Sequence, residues 1–279
     1  MSTATVSGIT MGYDDQGEGP ALLLVHGHPF DRSMWSPQVR EFARAGWRVI
    51  APDLRGFGET SVTGEVAWDT FARDLAALLD HLGVAGVVAG GLSMGGQIVM
   101  EFCRLFPARV RGVVLAATFA TLDPPGGRQR RVELAGRLRR EGMADYAAEV
   151  LPKMMSPASV EALPAVAGQV LAMMRGAPPA GAAAAALARC ERPDYTQVLA
   201  ALAVPALIVT GAADVFTPVS DAEYMRGLIP HAALAVIGGS GHLPNLERTA
   251  EFNQALRRFL AGLRTSEGAG ARTPGDGGE

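Results

Sequence analysis

Gly90-Gly91-Leu92-Ser93-Met94-Gly95-Gly96 is the stretch on which the reading of the whole chain turns. Small and β-branched residues from Val84 to Ala89 lead into it, and an apolar-periodic run from Gln97 to Phe106 leaves it. Strand, tight turn and helix in that order are the context in which Gly-x-Ser-x-Gly forms a nucleophile elbow. The turn forces the serine backbone into a strained conformation, and glycines two residues to either side remove the Cβ atoms that would collide there. Ser93 would then stand above the end of a strand, at a helix N-terminus that favours negative charge. Taken alone, the same letters also fit a glycine-rich turn whose serine caps a helix. The other strand ends have to decide.

Ala21–Val25, Trp47–Ala51, Val110–Ala117, Ala206–Thr210 and Leu234–Ile237 are apolar runs of strand length. Helical spacing falls between them, as in Phe71, Leu75, Leu78, Leu79 and Leu82. Continuous apolar strands alternating with helices predict an α/β fold: a mostly parallel central sheet with helices on both faces. An edge strand is expected from Val6 to Tyr13, a helix from about Ser33 to Arg44, and a final helix over about Thr249 to Leu263. In such a sheet a ligand binds beyond the carboxyl ends of the strands.

Between about Thr121 and Thr196 the strand signals stop. Helices are expected near Gly127–Arg140, Met143–Leu151, Ser156–Met174 and Ala180–Cys190, with Ser156-Pro157 as a cap and first helical position and Pro164 as a kink or break. The chain therefore divides into a core (1–120 and 197–264), a helical cap inserted between two strands (121–196), and a glycine-rich tail (265–279) expected to be disordered. Met154, Met155, Met173 and Met174 either pack the cap onto the core or line an adaptable apolar pocket, for which Phe30 and Phe216 are further candidates.

The composition excludes several classes. Lys+Arg 25 against Asp+Glu 28 gives a net charge of −3, and with no basic stripe along a helix a nucleic-acid partner is not expected. No signal-peptide pattern and no apolar run of roughly 18 residues are found, so a cytoplasmic protein without membrane attachment is expected, as monomer or homodimer. Cys103 and Cys190 make neither a disulfide framework nor a zinc spacing, and no metal is expected.

A serine hydroxyl is a poor nucleophile at neutral pH and needs a base within reach, itself oriented by an acid. Asp214 follows the strand 206–210 in Gly211-Ala212-Ala213-Asp214, and His242 follows the strand 234–237 in Gly238-Gly239-Ser240-Gly241-His242. Each has an ordinary alternative, as a turn aspartate or a loop histidine. Serine, aspartate and histidine at successive strand ends in this order instead suggest Ser93 as nucleophile, His242 as base and Asp214 as orienting acid.

With these stretches the chain resembles the α/β-hydrolase family over nearly its whole length apart from the tail. His26-Gly27-x-Pro29, Asp53-x-Arg55-Gly56-x-Gly58, Gly91-x-Ser93-x-Gly95-Gly96, Gly211-x-x-Asp214 and Gly241-His242 carry the likeness. Gly91-Leu92-Ser93-Met94-Gly95-Gly96 and Gly241-His242-Leu243-Pro244-Asn245-Leu246-Glu247 look most like the versions in cap-bearing esterases and 3-oxoadipate enol-lactonases. The resemblance implies a serine hydrolase acting on a small-molecule ester or lactone through an acyl-enzyme, without a cofactor. It also implies an oxyanion hole made by the backbone N–H groups of His28 and Met94. Many relatives carry an apolar residue where His28 stands, which leaves open whether its ring touches substrate or turns into the cap. Asp123 lies where some relatives place the acid, and Ser93 where dehalogenases and epoxide hydrolases carry an aspartate. A C–C bond hydrolase, a cofactor-free perhydrolase, a biosynthetic cyclase and, from another class, a non-catalytic binding protein would share these motifs. An apolar, methionine-bearing cap would select a medium-sized apolar or aromatic substrate.

Overall fold

In a computed structural model that describes residues 2–270, the chain opens with a hairpin of β1 (Ser2–Val6) and β2 (Ile9–Gln16) and continues through β3 (Ala21–Val25). The single edge strand expected from Val6 to Tyr13 is thus two strands. Ser7 and Gly8 both take positive φ, 50° and 73°, and reverse the chain in two residues. A 3-10 turn at Arg32–Trp35, capped by Asp31, precedes α1 (Ser36–Arg44), so the helix expected from Ser33 begins three residues later. There follow β4 (Arg48–Pro52), α2 (Trp68–His81), β5 (Val87–Leu92), α3 (Met94–Leu105) and β6 (Val110–Ala116).

The helical stretch comes next: α4 (Gly127–Glu141), α5 (Ala144–Met154), α6 (Pro157–Ala162), α7 (Pro164–Gly176), α8 (Pro179–Ala188) and the short α9 (Thr196–Ala200). Ser156 caps α6 by accepting from Ser159 N, and Pro164 begins α7, so the proline divides the expected helix in two. The alternation resumes with β7 (Ala206–Gly211), α10 (Val219–Leu228), β8 (Ala233–Ile237), α11 (Pro244–Glu247) and α12 (Thr249–Gly270). The expected tail from 265 is corrected in its first part, because α12 runs to Gly270; residues 271–279 lie outside those described.

The described strands form one sheet in the order β1-β2-β4-β3-β5-β6-β7-β8. β1 with β2 and β2 with β4 are antiparallel, and every other pair is parallel. Side chains alternate between two cores, as the two-residue period of a strand requires. Leu22, Leu24, Val88, Val114, Leu207 and Val209 face α1 and α12, where Trp35, Phe42, Phe252 and Leu256 are buried. Leu23, Val25, Ala89, Val113, Leu115 and Ile208 face α2, α3 and α10. The insertion straddles this division: α4 and α8 extend the second core, while α5 and α7 extend the first. No described helix is long and apolar enough to cross a membrane.

Phe252 is fully buried, with its ring 6.0 Å from that of Trp35. Phe252→Ala is expected to destabilise the fold by about 3–5 kcal/mol, through lost burial and the cavity left behind. Denaturant unfolding at constant slope would measure it.

Candidate active site

The turn between β5 and α3 has the predicted strain. Ser93 adopts φ 56° and ψ −117°, outside the regions favoured by residues with a Cβ. It is fixed through its backbone, with its N–H donating to Ala116 O at 2.9 Å and its carbonyl accepting from Gln97 N at 3.2 Å and Thr118 Oγ1 at 2.8 Å. Its hydroxyl makes no hydrogen bond to a described residue. The flanking glycines are steric requirements: a Cβ at Gly91 would lie 2.3 Å from the Gly95 carbonyl carbon, and one at Gly95 would lie 2.2 Å from Val25 O. Gly95 thus lets the end of β3 press against the start of α3. That contact sets the loop 26–30 beside Ser93. Met94, as the first residue of α3, has an N–H without an intrahelical acceptor. The N–H of His28 likewise has no acceptor among the described residues.

Asp214, after β7, and His242, after β8, meet: His242 Nδ1 lies 2.7 Å from Asp214 Oδ2, and both residues are buried. Asp214 also accepts from Phe216 N at 2.8 Å, Thr217 N at 3.1 Å and the Thr217 hydroxyl. Burial pushes the Asp214 carboxyl up, but attraction to His242 and the bonds from His242 and Thr217 outweigh it and hold it below its usual range. An ionised carboxylate only accepts, so Nδ1 carries a hydrogen, and in the neutral form of the ring the lone pair is then on Nε2. Asp123, the alternative acid, is not in this pair: both its oxygens are bonded by Arg131.

Glu247 was missed at the sequence level as more than a motif letter. Its buried carboxylate accepts from Gly241 N at 3.0 Å, Leu243 N at 3.1 Å and Ser156 N at 2.8 Å, with the Ser240 hydroxyl at 3.3 Å. It gathers the loop around His242 and ties it to the insertion, where Met154 O accepts from His242 N at 3.1 Å. The five-residue spacing from histidine to glutamate is its only sequence signal.

His26 and His28 are held neutral. Leu54 N donates to His26 Nε2 at 2.9 Å, which leaves Nδ1 to donate to Gly27 O. Burial lowers the pKa of His26, and it lowers that of His28 to about 3 against the partial opposition of a bond to Ala182 O. That bond, 3.0 Å from His28 Nε2, fixes the ring against α8 while the residue also borders the cavity. Asp53 supports the same loops from below, accepting from Arg32 N at 2.7 Å and Glu59 N at 2.8 Å and pairing with the Arg32 guanidinium.

A cavity of about 700 Å³ opens between the strand ends and the insertion, bordered by Ser93, His28 and His242. Of the six pocket candidates, Met154 and Phe216 line it, and the Phe216 ring stands 5.1 Å from that of His242. The other four are corrected. Phe30, Met155, Met173 and Met174 are buried in the core on the α1 face and do not line the cavity. Met173 and Met174 share with Ala167 and Val170 the face of α7 that packs inward, so their apolar spacing marks core. Beside apolar lining from Phe119, Leu122, Leu134, Val150 and Met154, the cavity carries Arg130, Arg131, Lys153 and Arg189 with Asp123 and Asp221. The absence of a basic helix stripe is corrected too: α4 holds Arg128, Arg130, Arg131, Arg137, Arg139 and Arg140, of which Arg128, Arg131, Arg137 and Arg140 are in ion pairs. Among the described residues, no group of three or more His, Cys, Asp or Glu side chains could hold a metal ion.

The profile of one protein family, described as alpha/beta hydrolase fold, matches residues 20–249. A solved structure of a thermophilic esterase from Thermogutta terrifontis superposes with a TM-score of 0.90 at 39% identity, covering 94% of this chain and 98% of that one. The 3-oxoadipate enol-lactonase 2 of Acinetobacter baylyi is 29% identical over 92% of this chain and 96% of its own length. A bromoperoxidase from Bacillus anthracis superposes with a TM-score of 0.83 at 27% identity, covering 93% and 100%.

Two outcomes follow from these contacts. The folded chain keeps His28 neutral where the unfolded chain protonates it, so the unfolded state binds more protons below pH 6.5. Stability is therefore complete above 6.5 and falls as pH drops toward 3, by at most about 1.4 kcal/mol per pH unit from this residue. Unfolding free energies across that window should decline less steeply in His28→Asn. Glu247→Gln turns an amide NH2 toward backbone donors and is expected to cost about 2–3 kcal/mol, read from the denaturation midpoint.

Proposed function

The chain belongs to the alpha/beta hydrolase fold family, and from that membership we propose that it is a serine hydrolase cleaving a carboxylic ester or lactone. The observation that carries this reading is the buried His242–Asp214 hydrogen bond, which opens onto the same cavity as a serine held in a strained elbow. The esterase and enol-lactonase likenesses support the choice of ester or lactone as substrate.

In this mechanism His242 Nε2 takes the proton of Ser93 Oγ as the oxygen attacks the substrate carbonyl. Asp214 holds the tautomer that leaves Nε2 free and stabilises the imidazolium that forms. Negative charge collects on the carbonyl oxygen, where the N–H groups of His28 and Met94 receive it; donors so placed are worth about 3–4 kcal/mol each in comparable sites. The imidazolium returns its proton to the departing alcohol oxygen, which leaves an acyl-Ser93 ester. Water, deprotonated by His242, then attacks that ester and releases the acid. His28 stays neutral, so its side chain takes no part in these transfers. The insertion acts as the cap over the reacting carbonyl. The bromoperoxidase likeness favours a second reading, a perhydrolase in which hydrogen peroxide replaces water at deacylation and yields a peracid.

A fluorophosphonate probe should label the wild-type chain at Ser93 and leave Ser93→Ala unlabelled. Asp214→Asn should lower kcat on a 4-nitrophenyl ester by about 10³–10⁴-fold. Labelling that persists in Ser93→Ala, or an enzyme indifferent to Asp214→Asn, would overturn the assignment. Peracid formation exceeding hydrolysis at equal hydrogen peroxide and ester would select the second reading.

A further inference from the structure

Among the four cations lining the cavity, Arg189 has a setting of its own. Arg131 is neutralised by the two oxygens of Asp123. Arg130 and Lys153 are exposed at the rim, where charge steers a ligand more than it binds one. Arg189 is partly buried on the wall just past the end of α8, and no carboxylate among the described residues lies within ion-pairing distance. Its one side-chain hydrogen bond to a described residue runs from Nε to Gln97 Oε1, at 3.0 Å, so its terminal nitrogens have no acceptor among the described residues. Burial and the like charges of Arg131 and Arg192 act against the guanidinium, with Asp123 as a partial offset. A desolvated cation with free donors lacks an anion.

The site of that missing anion can be located relative to the nucleophile. Gln97 lies one helical turn after Ser93 on α3, about 6 Å along the axis. Arg189, bonded to Gln97, is therefore anchored within the length of a small substrate from Ser93. Tyr146, whose hydroxyl has no hydrogen-bond partner among the described residues, borders the same cavity. Asp221 also borders it; burial and then the charge of Asp214 raise its pKa, and it forms no ion pair with Arg189. The cavity thus carries, just past the end of α8, a partly buried positive charge without an ion-pair partner among the described residues, besides the exposed charges of Arg130 and Lys153.

The geometry points to Arg189 as a specificity residue that binds a carboxylate carried by the substrate, so that the preferred ester or lactone is one bearing a free acid on a short spacer from the scissile carbonyl. The one partly buried, uncompensated guanidinium on the wall matches a monovalent carboxylate in charge, and its planar fork matches the two oxygens in shape. This inference rests on the hydrolase reading for its turnover test but not for its binding test.

Two 4-nitrophenyl esters separate the acid from every other feature: the mono-4-nitrophenyl ester of glutaric acid, and the same compound with its free carboxyl methylated. The wild-type kcat/KM should favour the acid at least tenfold, and that ratio should fall at least tenfold in Arg189→Met, with Arg189→Lys in between. Equal rates on the two esters in wild type, or a loss in Arg189→Met that is the same for both, would overturn the proposal. The second result would mean that Arg189 only supports Gln97. Calorimetry on the wild-type chain provides a test that needs neither catalysis nor the variant: glutarate should bind at least tenfold tighter than dimethyl glutarate, and equal affinities would also overturn the proposal. Failure of the fluorophosphonate labelling with glutarate binding intact would overturn the hydrolase reading alone.

Discussion

Everything at this site depends on one close approach of backbone to backbone. The end of β3 presses so tightly against the first turn of α3 that a methyl group at Gly95 would sit inside the Val25 carbonyl contact distance, at 2.2 Å. That approach sets the loop 26–30, which carries His28, beside the elbow and the start of α3, whose first residue is Met94. It also leaves the Ser93 backbone at φ 56°, a strained state kept by hydrogen bonds to Ala116, Gln97 and Thr118. In the proposed mechanism the oxyanion donors are main-chain groups and the spacers are glycines, so the elbow itself offers little side-chain variation with which to choose a substrate. On that reading, selection falls to the residues that line the cavity.

Charge is distributed in keeping with that division. At the strand ends the structure holds histidines that burial keeps neutral, His26 and His28, and one carboxylate, Asp214, that attraction and hydrogen bonding keep ionised. On the insertion side, arginine predominates, and most of it is matched by acids: Arg131 with Asp123, Arg128 with Glu191, Arg137 with Glu141 and Glu149. Buried charges that are not matched in this way are costly, which makes the rare unmatched one informative.

The parts of this arrangement that could be read from sequence are those fixed by local backbone geometry. The elbow is written in five residues, because only glycine tolerates the contacts at positions 91 and 95. Asp214 and His242 were legible because each ends an apolar strand run, and a parallel sheet brings strand ends together. The pocket was not legible. The spacing of Val170, Met173 and Met174 shows that α7 has a buried face, but not which neighbour covers it; the packing of α5 and α7 on the α1 side settled that. Arg189 stands in a single 3-10 turn, where no periodicity marks a direction. Glu247 had only its five-residue spacing from His242 to mark it, and no partner residue type to separate it from an ordinary surface glutamate, since its four partners are three backbone N–H groups and a hydroxyl.

The pair of contacts from Ser156 N to Glu247 and from His242 N to Met154 O stitches two distant parts of the chain at a single seam. In a chimera that exchanges the insertion for that of a relative, residues 154–156 would belong with the recipient sheet rather than with the transplanted helices. A crossover drawn at the strand boundaries, the natural place by sequence, would cut this seam. One drawn inside the insertion, after Ser156, would keep the histidine loop with its anchor and leave α6 to α8 as the exchangeable part.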